Sequence, residues 1–135
     1  GLIRADSLEL AAARADNAAG RIASRGDLAA AIGELRQADG ELLAEGALTL
    51  TGHLLDNRGG RVAANGGLWL AIDAIDNRGG DLSTRSAAAI QARRLDNGDA
   101  GHLLAAGLDL DVLHLLNRNQ GLIHGRDAAR VTGAR

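Results

Sequence analysis

The chain has 135 residues with 15 basic and 17 acidic side chains and a formal charge of −2, a balance that gives no electrostatic reason to expect nucleic acid or an anionic membrane as a partner. Cysteine is absent, which excludes a disulfide framework, a thiolate metal site and a cysteine nucleophile, and no apolar run approaches the roughly 20 residues that span a bilayer. Trp69 is the only aromatic residue, so the interior has to be assembled from Leu, Ile, Val and Ala, which suits thin regular layers better than an irregular core.

Order appears on walking the chain from glycine to glycine. Gly1, Gly20, Gly40, Gly60, Gly80, Gly101 and Gly121 recur at spacings of 19 to 21 residues, and a fixed period of that length marks a repeat architecture. The first unit opens with Ile3 and Ala5, then places Leu8 and Leu10 on either side of one outward position. The second has Ile22 and Ser24, a turn at Arg25-Gly26-Asp27, and Leu28 with Ala30 in the middle slots. The third runs Leu42, Ala44, Leu48 and Leu50, and closes on Leu55-Asp56-Asn57-Arg58-Gly59-Gly60. The fourth repeats this with Val62, Ala64, Leu68, Leu70 and Ile75-Asp76-Asn77-Arg78-Gly79-Gly80. In the fifth, Leu82, Thr84, Ala88 and Ile90 lead to Leu95-Asp96-Asn97-Gly98. The sixth carries Leu103, Ala105, Leu108 and Leu110, and the seventh Ile123, Gly125, Ala129 and Val131. Arg36-Gln37 and Asn117-Arg118 are read as standing where the other closing turns have Asp-Asn.

Apolar residues at every second position describe short strands, and Asp, Asn and Gly between them supply turn chemistry, Asn and Gly because they tolerate φ > 0. Short strands repeated every ~20 residues are expected to be the windings of a parallel β-helix, with like residues stacked in columns ~4.8 Å apart. The expected fold is therefore all-β: a parallel β-helix of about seven coils forming one segment over residues 1–135, read as a piece excised from a longer protein. An isolated piece of that kind is expected to aggregate or to need flanking coils, because its ends expose unpaired strand edges. One stretch opposes this reading. Asp27 to Arg36 is rich in Ala, Leu and Glu, with Leu28, Ala31, Ile32 and Leu35 at helical spacing. Period decides against a helical repeat, since helix-pair units need about 33 to 47 residues.

The phrases Leu-Asp-Asn-Arg-Gly-Gly-Arg-Val-Ala-Ala-Asn-Gly-Gly-Leu at 55 to 68 and Ile-Asp-Asn-Arg-Gly-Gly-Asp-Leu at 75 to 82 resemble filamentous haemagglutinin repeats. These occur in large bacterial exoproteins of two-partner secretion systems, both adhesins and carriers of contact-dependent toxins. The resemblance implies a right-handed β-helical shaft, secreted or held at the bacterial cell surface, non-enzymatic and without cofactor. It also implies an outer-membrane two-partner secretion transporter as partner, through which the chain passes unfolded. Lack of cysteine suits that route.

Arg25-Gly26-Asp27 is the sharpest candidate site. A bent loop can present a guanidinium and a carboxylate to a host-cell receptor of the integrin type, the carboxylate reaching a receptor-bound cation. Against this, Gly46 and Gly66 occupy the same column without the motif, so a plain turn also explains Gly26. Trp69, pointing outward between Leu68 and Leu70, is a candidate for stacking on a surface glycan. Asp56, Asp76 and Asp96 are expected to stack at about the separation of a retaining glycosidase pair. They are made by the repeat instead of breaking it, so no catalytic residue is assigned. Asn57, Asn77 and Asn97 are expected to form a structural amide ladder. His53 and His114 are read as sharing one column three coils apart, too far for a shared metal, and no metal site is assigned. Arg58, Arg61, Arg78, Arg93 and Arg94 are the material for a basic stripe that could meet sulfated glycans.

Overall fold

The computed structural model describes residues 2–132; Gly1, first of the repeat glycines, lies outside them. Short strands β1 (Leu2–Ala5), β3 (Arg21–Ser24), β5 (Glu41–Ala44), β7 (Arg61–Ala64) and β9 (Asp81–Thr84) alternate along the chain with long strands β2 (Leu8–Asp16), β4 (Leu28–Arg36), β6 (Leu48–Asp56), β8 (Leu68–Asp76) and β10 (Ala87–Asp96). Two further strands, β11 (His102–Leu116) and β12 (Leu122–Thr132), each run through both positions without a break. There is no helix among the described residues.

Hydrogen bonding joins the strands in the order β1-β3-β5-β7-β9-β11-β10-β8-β6-β4-β2, with β12 added on β11. The short strands thus form one parallel wall, the long strands a second, and β11 belongs to both. Five coils made of a short and a long strand, a sixth made of β11, and part of a seventh made of β12 build the solenoid. The expectation of about seven coils is close to this.

Residues one winding apart lie side by side. Val62 pairs with Leu82, and Leu82 with Leu103. Leu28, Leu48, Leu68, Ala88 and Leu108 form one column of the long-strand wall, and Ala30, Leu50, Leu70, Ile90 and Leu110 the next but one. These two columns and Leu35, Leu55, Ile75 and Leu95 are almost wholly withdrawn from solvent. Each buried Leu, Ile or Val gains about 1.5–3 kcal/mol by leaving water, and this aliphatic axis holds the walls together.

The helix-prone stretch from Asp27 to Arg36 is a strand. In β4, Leu28, Ala30 and Ile32 are buried while Ala29 and Ala31 are exposed, which is a period of two. Its backbone pairs with β2 on one side and β6 on the other. A helix there would leave both neighbours with unmatched peptide groups, a cost that outweighs a weak local preference.

The repeat glycine is required for close approach, not for its own dihedral angles. A Cβ on Gly60 or Gly80 would run into the backbone carbonyl of Gln37 or Asn57 in the coil before. Left-handed φ occurs instead at the position just ahead of it, filled by Ala19, Asp39, Gly59, Gly79, Ala100 and Gln120, with Asp99 and Asn119 added where the turn is longer. Asn119 is thus left-handed, as turn chemistry expects of Asn, whereas Asn57, Asn77 and Asn97 of the Asp-Asn turns are not.

Two register expectations are also corrected. The extra residue that lengthens the turn after Asn97 shifts the short-strand wall by 21, as in Leu82 to Leu103. β11 then passes straight through the corner near Ala106, and the long-strand wall returns to 20, as in Ala88 to Leu108. Leu116-Asn117, not Asn117-Arg118, therefore aligns with Asp96-Asn97. For the same reason His114 lies beside Arg94, whereas His53 faces Asp73. The two histidines do not share a column.

Candidate functional site

The corner between β3 and β4 carries Arg25-Gly26-Asp27. Its backbone is fixed from the preceding coil: Arg25 N–H donates to Ala5 O at 2.9 Å and Gly26 N–H to Asp6 O at 2.7 Å. Gly46 N–H donates to Gly26 O at 2.9 Å and Gly66 N–H to Gly46 O at 2.8 Å, so Gly26 belongs to a glycine column that stacks coil on coil. Arg25 and Asp27 are both exposed. The Arg25 guanidinium lies 3.6 Å from the Asp6 carboxylate, an ion pair open to water on both sides and weak for that reason. Asp27 is held more firmly. Its Oδ1 accepts the Ala47 N–H of the next coil at 2.9 Å, so the carboxylate clasps coils 2 and 3 while facing solvent. Periodicity carried no sign of this bond, because the residues in register with Asp27 are Ala47, Gly67 and Ala87.

Trp69 projects from the long-strand wall that begins at this same corner, two coils further on. Its neighbours Leu68 and Leu70 are buried, and its own side chain is 54% exposed, as alternation requires. Thr49 and Ala89 stand directly beside it in the adjacent coils. Along the neighbouring corner, Ala47, Gly67, Ala87 and Gly107 offer nothing larger than a methyl group. The result is an open, mostly apolar cleft of about 530 Å³ with Thr49 and Asp109 among its polar lining.

The stacked carboxylates are neutralised. Arg58 holds Asp56 with Nε and Nη2 each at 2.8 Å, and Arg78 holds Asp76 at 2.9 and 2.8 Å. Each guanidinium also lies 3.9 Å from the carboxylate of the next coil, Arg58 from Asp76 and Arg78 from Asp96. The charge-assisted bonds from Arg58 hold the Asp56 carboxyl below its usual range and push the Arg58 guanidinium up, and Asp76 raises Arg78 likewise. Arg61 lies 4.0 Å from Asp81 on the short-strand wall, while Arg93 and Arg94 sit near the end of β10. The five arginines do not gather into a single stripe.

Behind the ion ladder runs a buried row of carboxamides. Asn17 Nδ2 donates to Gln37 Oε1 at 2.7 Å, Asn57 to Asn77 at 2.7 Å, Asn77 to Asn97 at 2.7 Å and Asn97 to Asn117 at 3.0 Å. Each of these donors makes a second bond, and Gln37 a single one, to the carbonyl of the residue that opens the short-strand segment two coils on. Gln37, Asn57, Asn77 and Asn97 are fully buried. The row extends beyond the three residues expected of it, to Asn17 at one end and Asn117 at the other.

His53 Nδ1 lies 3.2 Å from Asp73 Oδ2 in an exposed pair. Among the described residues, no three of the His, Asp and Glu side chains converge on one point.

A family model described as the haemagglutinin repeat matches residues 3–68 and again residues 63–135. No curated protein and no solved structure matches the chain. The two matches together take in nearly the whole sequence and coincide with the stacked coils, whose glycine column and Asp-Asn turns carry the repeat. The chain belongs to the haemagglutinin-repeat family.

Proposed function

We propose that this chain is a length of the rigid shaft of a secreted or cell-surface bacterial adhesin, with a structural and attachment role and no catalysis of its own. The observation that carries the reading is the parallel stacking of coil on coil from β1 to β12, which makes a rod and, among the described residues, gives no strand face over to reacting groups. On this reading the rod sets a distal domain away from the bacterium. Export proceeds through an outer-membrane two-partner transporter, a route favoured by a chain with no disulfide to unfold.

Arg25-Gly26-Asp27 is the proposed contact with an integrin-type host receptor. Support comes from its position on an exposed corner whose backbone is already ordered, so binding costs little further entropy. The test measures cation-dependent attachment of host cells to surfaces coated with the protein. Asp27→Asn keeps an oxygen for the Ala47 N–H but removes the carboxylate, and Arg25→Ala removes the guanidinium. Both variants are expected to abolish attachment; attachment at the level of the unaltered protein overturns the assignment.

A second contact is favoured by the cleft beside Trp69. An exposed indole flanked by side-chain-free corners can receive the apolar face of a sugar ring, with Thr49 and Asp109 close enough to take its hydroxyls. Because Trp69 is the only aromatic residue, its fluorescence reports directly: titration with neutral oligosaccharides shifts the emission if a surface glycan binds there, and an unchanged spectrum removes the proposal.

A further inference from the structure

The amide row has one gap. Between coils 2 and 3, Gln37 Nε2 donates to Arg61 O at 2.9 Å, but no bond reaches Asn57. Asn57 Oδ1 is buried without any hydrogen-bond partner. At the other steps, from Asn17 to Gln37, Asn57 to Asn77, Asn77 to Asn97 and Asn97 to Asn117, a carboxamide N–H fills the place that is empty here. The cause is one methylene. Gln37 stands in the Asn column, and its longer side chain reaches the backbone of coil 4 with one N–H while the other fails to align on Asn57. A fully buried N–H and a fully buried carbonyl oxygen thus lie at the same coil junction without bonding, and each such group carries a desolvation cost that nothing offsets.

Bonds that reach two coils on, from Asn17 to Glu41 O and from Gln37 to Arg61 O, cross this junction as their counterparts cross the others, and the remaining contacts add little. Arg21 and Glu41 meet at 3.9 Å with both side chains largely in water, so their contribution is small. The Ala47 N–H bond to Asp27 is exposed. The next junction, between coils 3 and 4, has the intact amide bond from Asn57 to Asn77 and the contact from Arg58 to Asp76. Between coils 4 and 5 come the bond from Asn77 to Asn97, the contacts from Arg78 to Asp96 and Arg61 to Asp81, and the bond from Thr84 to Gly66 O, set against one buried oxygen without a partner, Asp81 Oδ1.

We infer that the coil 2–coil 3 junction is a built-in yield point, at which the stack parts first, the two coils before it unwinding while those from β5 onward stay wound. In a repeat array, stability is a sum of unit and nearest-neighbour terms, so one deficient interface sets where the array divides. A shaft loaded along its axis would then lengthen at a fixed place. Releasing the two coils before the gap adds on the order of 130 Å of extended chain, and the aliphatic axis from β5 onward remains closed. The inference rests on coil stacking alone and stands whether or not a receptor binds at Arg25-Gly26-Asp27.

Hydrogen exchange of the whole chain, followed peptide by peptide at low urea, tests it. Amides of β3 and β4 are expected to exchange as one unit, roughly 10- to 100-fold faster than those of β7 and β8, the factor that one orphaned buried group implies. Gln37→Asn supplies the residue the other coils use and is expected to slow β3 and β4 into line with their neighbours. Asn77→Gln places the same defect between coils 4 and 5 and is expected to create a second step there. A smooth decline of protection from the ends, with no step between β4 and β6, overturns the inference. Unchanged β3 and β4 rates in a folded Gln37→Asn chain overturn it too. If Gln37→Asn does not fold, Asn77→Gln decides alone: no new step between β8 and β10 refutes the proposal.

Discussion

Removing one carboxamide from the middle of the buried row should destabilise the solenoid more than any change to its charged surface. Asn77 is completely buried. It accepts from Asn57 Nδ2 at 2.7 Å, and donates to Asn97 Oδ1 at 2.7 Å and His102 O at 3.0 Å. Asn77→Ala deletes all three bonds, each worth about 1 kcal/mol net, and strips Asn97 Oδ1 of its donor, a further ~1–3 kcal/mol for an orphaned buried acceptor. Asn57 Nδ2 keeps one partner, Asp81 O at 3.2 Å, which limits the damage. The expected loss is about 4–6 kcal/mol. Asn17→Ala is the matched control. It removes two bonds, to Gln37 Oε1 and Glu41 O, and likewise strips buried Gln37 Oε1 of its donor, so it should cost less by one bond, about 1 kcal/mol. Urea unfolding followed by the strand circular-dichroism band gives the midpoints, compared as shifts because a repeat array need not unfold in two states. If Asn77→Ala moves the midpoint no further than Asn17→Ala, the buried row is not the element that binds coil to coil.

The glycine column and the ion ladder give further expectations. Gly80→Ala should prevent the coils from closing or cost several kcal/mol, because its Cβ would meet the Asn57 carbonyl, whereas Gly79→Ala pays only left-handed strain at φ 65°, about 1 kcal/mol; thermal unfolding of the pair separates clash from strain. For Asp56, the Arg58 bonds lower the folded carboxyl below its unfolded value. Their stabilisation is therefore present above the ordinary carboxylate range and lost as pH falls through the lowered folded value. Asp56→Asn should flatten the decline of stability below about pH 4 and lower stability only modestly at neutral pH, because the Arg58 side chain stands half in solvent; urea midpoints across pH 2 to 7 for both chains check the slope.

Much of the fold was legible because it is written many times over. The column from Ile22 through Leu42, Val62 and Leu82 to Leu103 shows the same kind of side chain at each winding, and that recurrence outweighs the helical spacing of Leu28, Ala31, Ile32 and Leu35 in one unit alone. What escaped reading is whatever occurs once. Asp27 bonds to Ala47 twenty residues on, and no other coil repeats the pairing. Gln37 reads as a minor variation on Asn, yet its extra methylene interrupts the row. The offset of His114 from His53 depends on two compensating departures, an added residue near Asp99 and a straightened corner near Ala106, which cancel in the long-strand wall but not in the short-strand wall. Simple counting keeps the first and misses the second. Of the candidate sites, exposure of Arg25, Asp27 and Trp69 followed from alternation and turn position, while the partners of Asp27 needed the third dimension.

The carboxamide row also has a sense of direction. Every donor lies in the earlier winding and every acceptor in the later one, so a coil being laid down meets an N–H already extended toward it and must answer with an oxygen at one fixed position. A slip of one residue in the arriving coil 4 would offer that N–H either the Asp76 carboxylate, pulled away from Arg78 into a dry interior, or Arg78 itself, which has no oxygen to give. At these four junctions a misaligned coil would leave a buried N–H unanswered, whereas coil 3 arrives at the gap and is not held to register in this way.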